Sequence, residues 1–443
     1  MTDRSLACLI LAGGLGTRMR SSLPKVLHPA CGRPLLEWVL DAVAPLGAEP
    51  TLVVVPPDAP QIAELLPESA AAVVQETPRG TGDAVRCAAD ALAGFEGDIL
   101  VVYADTALLE PEPLEELLAA RRDAGAAAAV LTIERDRRTG ADFGRIVRGA
   151  DGSVERIVEV RDATPEERAL TEVNSGIYAF DAALLWEYLG KLGSDNDQGE
   201  LYLTDVIGLL VDAGQPVVAH RHPDATIAHG INTRVDLAEA TAMLRDRINH
   251  AHMLAGVTIV DPATTFIEAH VTIEPDAQIQ PFTVLRGTTA VKRGATVGPH
   301  AVVVDSEIGE EALVGPFCYL RPGTRLEARS KAGTFVEMKN SNLGEGAKVP
   351  HLSYIGDADI GQGSNIGAGA ITANYDGRSK NRTTIGRDVR TSCDNVFVAP
   401  VTIGDGAWTG AGSTITDDIP PEALGIARAK QTNIEGYARR RRR

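Results

Sequence analysis

A six-residue period of mostly aliphatic side chains runs through the second half of this 443-residue chain. Neither a helix nor a hairpin strand repeats every six residues, whereas the short coils of a parallel β-helix do. Small residues such as Ala277 and Ala295 stand two positions before many of the periodic ones, where the corner of a coil is tight. We therefore predict a left-handed parallel β-helix with the periodic side chains in its interior. The periodic positions are Ile267, Ile273, Ile279, Leu285, Val291, Val297, Val303, Ile308, Val314, Leu320, Leu326, Ile360, Ile366, Ile403, Thr409 and Ile415.

Polar residues are unusual in such a repeat, and we expect those between Glu327 and Asp394 to interrupt it. His351 lies in this stretch among cationic, tyrosine and asparagine side chains. The cations suit a phosphate, and a histidine can act as a general base near neutral pH. We expect a site for a phosphorylated substrate here; the alternative is an ordinary structural histidine. The polar set is Arg321, Lys339, Tyr354, Asn365, Asn374, Tyr375 and Lys380.

The first half of the chain opens with a buried strand that ends in a glycine-rich turn. The strand covers Leu6 to Leu11, and Gly13, Gly14 and Gly16 follow it. Such a turn exposes backbone N–H groups to an anion, and Arg18 and Lys25 add cations that suit phosphate oxygens. We predict a nucleoside-triphosphate site at this turn; the alternative is a tight turn with solvated basic residues.

Strands and helices alternate after this turn, which predicts a doubly wound, Rossmann-like and mostly parallel α/β sheet. Ligands bind beyond the carboxyl ends of the strands in such sheets. Three loops fall there: the glycine turn, residues 75–81 and the loop at Asp105. Asp105 is a magnesium ligand or a helix cap, and Asn232 caps the next helix or supplies a second oxygen. The predicted helices are 34–43, 60–66, 83–92 and the amphipathic 238–255; the predicted strands include 51–55, 71–75 and 98–103.

Composition limits the partners and the compartment. The net charge of −17 argues against general nucleic-acid binding. Five scattered cysteines indicate reduced thiols and a cytoplasmic protein. No apolar run reaches the roughly 20 residues that span a bilayer, so we expect no membrane span. The run Arg439 to Arg443 predicts a disordered, solvated tail.

The motifs of the first half together resemble those of the sugar-nucleotidyltransferases, in particular the bacterial N-acetylglucosamine-1-phosphate uridyltransferases. They are LAGGLGTRM, LPKVL, GTGDA, IVEVRDA, EVNSG and GIN, with Asp105 after a buried strand, and the resemblance covers residues 5–235. It implies main-chain contacts to uridine, phosphate and uracil contacts, a Mg²⁺ site and a pocket for the amino sugar. The implied residues are Leu11, Ala12 and Gly14 for the uridine; Arg18 and Lys25 for phosphate; Gln75, Gly80 and Thr81 for uracil; Asp105 and Asn232 for Mg²⁺; and Glu159 and Asn174 for the amino sugar.

The second half resembles the acetyltransferase part of the same bifunctional family, from about residue 250 to Tyr437. The resemblance implies that His351 is the general base for acetylation of glucosamine-1-phosphate. Arg321, Lys339, Tyr354, Asn365 and Lys380 are implied to hold the sugar phosphate. The residues implied to contact acetyl-CoA are Ala368, Asn374, Tyr375, Cys393, Ala411 and Arg428.

Four positions depart from the family pattern. Ala104 and Ala107 replace a glycine and a proline that flank the metal-binding aspartate, and Asp142 replaces a glycine that contacts the sugar. Cys393 replaces a serine, and a thiol donates a weaker hydrogen bond. A carboxylate at position 142 is unfavourable near a phosphorylated sugar if it points inward.

We expect three segments: a uridyltransferase domain (1–235), a linker helix (236–256) and an acetyltransferase domain (257–443). The implied product is UDP-N-acetylglucosamine, made from glucosamine-1-phosphate, acetyl-CoA and UTP with Mg²⁺ for cell-wall precursors. Hexapeptide-repeat families lead us to expect a homotrimer. One alternative is another nucleotidyltransferase, using dTTP or a hexose-1-phosphate, with an inactive repeat. The other is a trimerising scaffold that carries a nucleotide sensor.

Overall fold

The computed structural model describes residues 4–14, 16–135 and 142–442. Leu15 and Arg443, which fall in two of the sequence segments discussed above, lie outside these ranges. The chain forms two compact units, Met1–Leu244 and Arg245–Arg443. Within the described ranges, no helix is both long and apolar enough to cross a membrane.

The first unit is built on a nine-stranded sheet. Seven strands follow the order β11-β7-β10-β6-β1-β4-β5, β8 pairs with β10, and β9 pairs with β8. A separate short hairpin consists of β2 and β3. The strands are β1 (Leu6–Leu11), β2 (Pro29–Ala30), β3 (Arg33–Pro34), β4 (Thr51–Val55), β5 (Ala70–Val74), β6 (Asp98–Tyr103), β7 (Ala128–Glu134), β8 (Arg145–Arg148), β9 (Val154–Val158), β10 (Glu172–Asp181) and β11 (Val217–His222).

Helices cover both faces of this sheet. Alternate residues of β1 belong to two different apolar cores: Ile10 packs with residues of α1 and α4, and Leu9 with residues of α3, α6 and α7. The doubly wound fold is thus confirmed. The helices are α1 (Leu35–Val43), α2 (Pro60–Leu65), α3 (Thr81–Arg86), α4 (Pro111–Asp123), α5 (Pro165–Arg168), α6 (Ala182–Leu189), α7 (Thr204–Asp212) and α8 (Arg234–Leu254).

Three details of the first unit differ from the sequence prediction. The sheet is mixed, because β10 runs antiparallel to both β6 and β7. Helix α3 ends at Arg86, and turns continue to Gly94, so the helix predicted to reach Leu92 is shorter. Helix α8 begins at Arg234, four residues before the predicted start at Ala238. The apolar period locates strands and helices, but it carries no information on strand direction.

The second unit is the predicted β-helix, formed by three parallel sheets whose strands stack coil upon coil. The first sheet contains Thr258–Ile259, Gln278–Ile279, Thr296–Val297, Leu313–Val314, Lys331–Thr334 and Lys348–His351. The second contains Phe266–Ile267, Val284–Arg286, Val302–Val304, Tyr319–Leu320, Glu337–Lys339, Tyr354–Gly356, Ile371–Ala373, Val396–Val398 and Thr414–Ile415. The third contains Thr272–Ile273, Ala290–Val291, Glu307–Ile308, Arg325–Leu326, Asn342–Leu343, Ala358–Ile360, Thr383–Ile385 and Val401–Ile403. Trp408–Thr409 pairs with Leu424–Gly425.

The periodic side chains fill the interior of these coils, and all the predicted positions are buried. The predicted interruption between Glu327 and Asp394 is wrong over most of its length. The interior positions continue through this stretch as far as Ile366, with Ala and Met among them and two steps of five residues. Only the segment between Ile371–Ala373 and Thr383–Ile385 is an insertion. The continuing positions are Ala332, Met338, Leu343, Val349 and Ile355.

One corner of the β-helix carries a column of stacked rings. The ring of His300 lies 4.7 Å from that of Phe282 and 4.8 Å from that of Phe317, and Phe335 follows at 5.2 Å. All three phenylalanines are about half exposed. The chain therefore presents an apolar strip along this corner, which we call the aromatic column.

The described part of the basic C-terminal run is exposed, as predicted, but it is not structureless. Tyr437–Arg441 forms the short helix α9, which begins after Gly436 in a left-handed conformation. Its cationic side chains are solvated.

Candidate functional site

A cavity of about 410 Å³ opens where three loops of the first unit meet. Its size is in the range of ligand pockets. The loops follow the carboxyl ends of β1, β5 and β6, which are the three loops predicted from the sequence. Nine predicted site residues line it: Leu11, Ala12, Gly14, Lys25, Gln75, Gly80, Thr81, Asp105 and Asn232.

The glycine turn after β1 folds back on Lys25. Gly16 has φ of +59°, and a Cβ at this position would lie 2.8 Å from Cβ of Lys25. Only glycine combines this backbone conformation with so close an approach. The short 3₁₀ helix Thr17–Met19 follows, and it carries Arg18 on its exposed side. Arg18 is not among the described residues that line the cavity.

Lys25 joins the two residues predicted to bind magnesium. Its Nζ forms an ion pair with Asp105 and donates a hydrogen bond to Oδ1 of Asn232 over 3.0 Å. The carboxylate oxygen of Asp105 and the amide oxygen of Asn232 therefore face one common point, which the ammonium group of Lys25 occupies. This arrangement brings together residues from three distant parts of the chain.

Neither Asp105 nor Asn232 caps a helix, although both caps were open alternatives. Helix α4 begins at Pro111, well beyond Asp105. The first turn of α8 is capped by Thr233, whose Oγ1 accepts from the backbone N–H of Asp236 at 3.2 Å. The carboxylate of Asp236 in turn accepts from the N–H groups of Asn232 and Thr233. The side chains of Asp105 and Asn232 therefore cap no helix and instead pair with Lys25.

The donor set fits a magnesium ion that the substrate helps to hold. In the described part of the chain, no group of three or more His, Cys, Asp or Glu side chains could hold a metal ion. Asp105 and Asn232 instead offer two hard oxygen ligands at the lining of the 410 Å³ cavity. Mg²⁺ commonly binds through one or two protein oxygens together with substrate phosphates.

The opposite wall of the cavity contains residues that the sequence did not single out. Tyr103 ends β6, and its burial, with the charges of Glu159 and Asp105 beside it, raises the pKa of the phenol well above its ordinary value. Thr81 Oγ1 accepts from the N–H of Leu203 at 3.0 Å, which ties α3 to the segment before α7. Gly13 and Pro78, which belong to two of the predicted loops, and the unpredicted Val26, Ala84 and Glu200 complete the lining.

Glu159 and Asn174, predicted to hold the amino sugar, do not line this cavity. Glu159 accepts from Thr204 Oγ1 at 3.1 Å, and burial raises the pKa of its carboxyl despite this hydrogen bond. Asn174 is buried, with Nδ2 donating to Tyr178 Oη at 2.6 Å and Oδ1 accepting from Gly176 N at 3.0 Å. The two side chains are thus held by protein partners near Tyr103.

The polar cluster predicted on the β-helix centres on a residue that the sequence did not indicate, Asp357. Its carboxylate accepts from Asn340 Nδ2 at 2.6 Å and from Asn374 Nδ2, and it lies 3.8 Å from Lys339 Nζ. Burial opposes ionisation, but these hydrogen bonds and the charges of Lys339 and Lys380 lower the pKa of Asp357. Lys339 in turn lowers the pKa of its neighbour Lys380.

The remaining predicted phosphate ligands lie on the same coils. Arg321 pairs with Glu337 at 2.9 Å, and Tyr354 starts a strand of the second sheet. Asn365 bridges the coils of Lys348 and Arg390 through its backbone.

His351 ends the last strand of the first sheet, and its side chain is exposed. In the described chain, no hydrogen bond links its ring to Lys339, Tyr354 or Lys380.

Three of the six residues predicted to contact acetyl-CoA stack along one corner. Asp394 N donates to Ala368 O at 2.8 Å, and Gly412 N donates to Cys393 O at 2.9 Å, so positions 368, 393 and 411 lie on consecutive coils. Cys393 and Ala411 are exposed, as is Arg428. Tyr375 lies in the insertion, where its backbone bridges to Lys380.

Comparison with known proteins identifies the family. A model of the MobA-like NTP transferase domain matches residues 8–247. The bifunctional protein GlmU of Corynebacterium efficiens is 49% identical over 466 residues, covering 100% of this chain and 95% of that protein. GlmU of Streptomyces avermitilis is 50% identical, and the match covers 99% of this chain and 95% of that protein. GlmU of Mycobacterium bovis is 48% identical, and the match covers 98% of this chain and 92% of that protein. The chain belongs to the GlmU family.

Membership of the GlmU family confirms the resemblance stated from the motifs and makes the chain an enzyme with a nucleotidyltransferase domain. The four departures from the family pattern have different surroundings. Ala104 and Ala107 are fully buried beside Asp105, so they change packing and not charge. Asp142 and Cys393 are exposed.

Proposed function

We propose that the chain is a bifunctional enzyme that makes UDP-N-acetylglucosamine. It acetylates glucosamine-1-phosphate with acetyl-CoA and then transfers UMP from UTP to the product, releasing diphosphate. The observation that carries this proposal is that one GlmU-family chain has both a cavity lined by Lys25, Asp105 and Asn232 and a β-helix that bears a Lys339–Asp357–Lys380 cluster and an exposed His351. The product is a precursor for cell-wall synthesis.

In the uridyl-transfer reaction, the phosphate of N-acetylglucosamine-1-phosphate attacks the α-phosphorus of UTP in line. The sugar phosphate is itself the nucleophile, so the protein needs to position and neutralise charge. The N–H groups of the glycine turn, Arg18 and Lys25 bind phosphate oxygens. Leu11, Ala12 and Gly14 hold the uridine, and Gln75, Gly80 and Thr81 contact its base. Glu159 and Asn174 orient the acetamido sugar.

A magnesium ion would be held by Asp105 and Asn232 together with phosphate oxygens of the substrate, and when bound it supplies charge neutralisation at the phosphates. Lys25 keeps the two protein oxygens directed to the same point. When a nucleotide enters, the Nζ of Lys25 has phosphate oxygens as additional partners.

In the acetyl-transfer reaction, the sugar amine attacks the thioester carbonyl carbon while His351 takes its proton, and the C–S bond then breaks to release coenzyme A as a thiolate that takes up a proton. Arg321, Lys339, Tyr354, Asn365 and Lys380 bind the phosphate and hydroxyl groups of the sugar. Asn374 and Tyr375, with Ala368, Cys393, Ala411 and Arg428, bind acetyl-CoA. Backbone N–H donors near Ala368 or Tyr375 stabilise the oxyanion.

We infer that three copies of the chain associate through their β-helices. The exposed aromatic column supports this inference, because a half-exposed row of phenylalanines is an unusual surface unless a partner covers it. The exposed position of His351 fits a site that a neighbouring copy completes. Because the neighbouring copy would supply the missing partners, we expect the ring of His351 to make no hydrogen bond to Lys339, Tyr354 or Lys380 within a single chain.

The positions of these sites assign one reaction to each domain. Residues 1–235 carry uridyl transfer, 236–256 form the linker and 257–443 carry acetyl transfer. The nucleotide and acetyl-CoA substrates, together with five free cysteines, support a cytoplasmic enzyme. Supplying glucosamine-1-phosphate, acetyl-CoA, UTP and Mg²⁺ should yield UDP-N-acetylglucosamine. A chain that accepts dTTP in place of UTP, or fails to acetylate, would instead be a nucleotidyltransferase with an inactive repeat.

A further inference from the structure

The amide of Gln75 is held in one orientation by an aspartate behind it. Nε2 of Gln75 lies 3.0 Å from Oδ2 of Asp83 and 3.4 Å from the carbonyl oxygen of Gly80. An ionised carboxylate and a carbonyl can only accept hydrogen bonds, so the NH₂ end of the amide must face them. Both N–H groups of Gln75 are therefore used inside the protein.

The other end of the amide faces the cavity. A Cβ at Gly13 would lie 2.7 Å from Oε1 of Gln75, so this oxygen rests directly on the glycine turn that lines the pocket. Gln75 and Asp83 are 4% and 6% exposed, so neither side chain has room to exchange partners with bulk water. Gln75 thus presents only a hydrogen-bond acceptor to a bound base.

An acceptor at this point distinguishes two pyrimidines. Uracil carries an N3–H donor, whereas cytosine has an unprotonated N3 whose lone pair would face the Oε1 lone pairs. A site built to pair with a donor rejects an analogue that lacks the donor, because the buried acceptor is left unpaired. Thymine carries the same N3–H, so this contact does not separate UTP from dTTP.

We propose that Asp83 is a positioning residue that selects uracil over cytosine by fixing the amide of Gln75. The inference rests on the proposed uridyl transfer and deepens it. Arg86 completes the arrangement, since its Nη2 pairs with the second oxygen of Asp83, Oδ1. Each carboxylate oxygen therefore receives one donor from its own side, and a side chain with an oxygen at only one of these two positions cannot reach both donors.

The substitution Asp83→Asn tests this directly because it preserves shape. Its single oxygen must serve either Arg86 or Gln75, and Arg86 can only donate, whereas Gln75 can turn its amide and accept. We expect Gln75 to flip and to present Nε2 to the base. The ratio of kcat/KM for UTP to that for CTP should fall about tenfold or more.

Two further variants separate this effect from general damage. In the double variant Asp83→Asn with Arg86→Leu, the asparagine oxygen is free to accept from Gln75, so the UTP preference should return. Asp90→Asn alters an exposed aspartate of the same segment and should leave the ratio unchanged. An unchanged ratio in Asp83→Asn, or a ratio that stays low in the double variant, overturns the proposal.

The role of Asp83 can still be tested if the Asp83→Asn variant fails to fold or if the wild type does not carry out the proposed reaction. If Asp83→Asn does not unfold cooperatively, the wild type is assayed with N3-methyl-UTP, which lacks the donor. Use of N3-methyl-UTP at the rate of UTP would contradict the inference, because a fixed acceptor cannot pair with a methylated N3. If the wild type transfers no UMP, the proposed function fails, and calorimetric binding of UTP and CTP to the wild type and Asp83→Asn still decides the role of Asp83.

Discussion

Nζ of Lys25 donates a hydrogen bond to Oδ1 of Asn232 over 3.0 Å, although 207 residues separate them. The same Nζ pairs with Asp105, so one lysine fixes the two oxygens that we assign to magnesium. The first prediction follows from this arrangement. Asp105→Ala should lower uridyl transfer by about 10²-fold or more, because phosphate charge is no longer neutralised.

The acetyltransferase rate provides the control for Asp105→Ala. It should remain at the wild-type value, since the residues assigned to acetyl transfer all lie in the other unit. A matched variant is Asp58→Ala, an exposed aspartate in the same unit that does not line the cavity. Loss of both activities in Asp105→Ala would indicate folding damage and contradict the assignment.

His351→Ala should lower acetyl transfer by about 10²–10⁴-fold, the usual effect of losing a general base. Uridyl transfer from UTP to supplied N-acetylglucosamine-1-phosphate should be unchanged. Steady-state rates of thiol release from acetyl-CoA measure the first effect. His270→Ala, which alters another histidine of the same unit, serves as the control. Acetyl transfer near the wild-type rate in His351→Ala would exclude this histidine as the base.

Asp357→Asn should raise KM for glucosamine-1-phosphate about tenfold, because it removes the carboxylate between two lysines. Lys339 already lowers the pKa of Lys380, and without Asp357 that pKa should fall further. Phosphate binding needs the protonated lysine. The variant's KM should therefore begin to rise at a lower pH than that of the wild type.

Asp359→Asn is the matched control for Asp357→Asn. Asp359 lies two residues away but pairs with Arg382 and Asn342 and not with the lysines. Asparagine tolerates the positive φ of Asp357, so the backbone is not strained by the test substitution. Identical pH profiles of KM in the wild type and Asp357→Asn would show that the carboxylate has no part in phosphate binding.

Stability of the first unit should decrease below about pH 6.5, the ordinary pKa of histidine. Burial and the adjacent Arg234 lower the pKa of His28, which packs 3.2 Å from an Arg234 nitrogen. As the pH falls, the unfolded chain therefore binds a proton before the folded chain does. Urea unfolding at pH 7.5 and 5.5 measures the loss, and His28→Asn should flatten it. An equal loss in the variant would assign the effect to other groups.

Phe317→Glu should dissociate the proposed trimer, because it inserts a charge into the aromatic column between His300 and Phe335. Sedimentation velocity would report a lighter species and, with it, a loss of acetyl transfer. Leu313→Glu, at an exposed position of the same coil away from the ring stack, is the control. A trimer that persists in Phe317→Glu would mean that the column is not the contact.

The β-helix could be predicted because every coil buries the same position. Its continuity between residues 327 and 394 was missed because Ala332 and Met338 replace the aliphatics that the pattern sought, and because two steps shorten to five residues. Asp357 was missed as well. Asn340, Asp357 and Asn374 are 17 residues apart, one coil each, so a column of polar residues at that spacing was the available signal.

The nucleotide cavity was foreseeable because the carboxyl ends of β1, β5 and β6 meet at one edge of the sheet. The alternative of helix caps could not be excluded from sequence, since Thr233 stands next to Asn232 and either could cap. Tyr103 lies beside Glu159, which the chain brings near only in three dimensions. Asp83 contacts Gln75, eight residues earlier, and this contact depends on the conformation of the turn between them, which the apolar pattern does not specify. The antiparallel direction of β10 could not be predicted from the sequence either, because its apolar pattern does not distinguish a parallel strand from an antiparallel one.

The central claim is that one chain carries two separate sites linked by a free intermediate. The most direct test mixes Asp105→Ala and His351→Ala, each inactive in the overall reaction, with glucosamine-1-phosphate, acetyl-CoA, UTP and Mg²⁺, and follows the products by ³¹P NMR. We expect N-acetylglucosamine-1-phosphate to appear first and UDP-N-acetylglucosamine to follow. A mixture that forms no UDP-N-acetylglucosamine, while the wild type does, would contradict two separable sites.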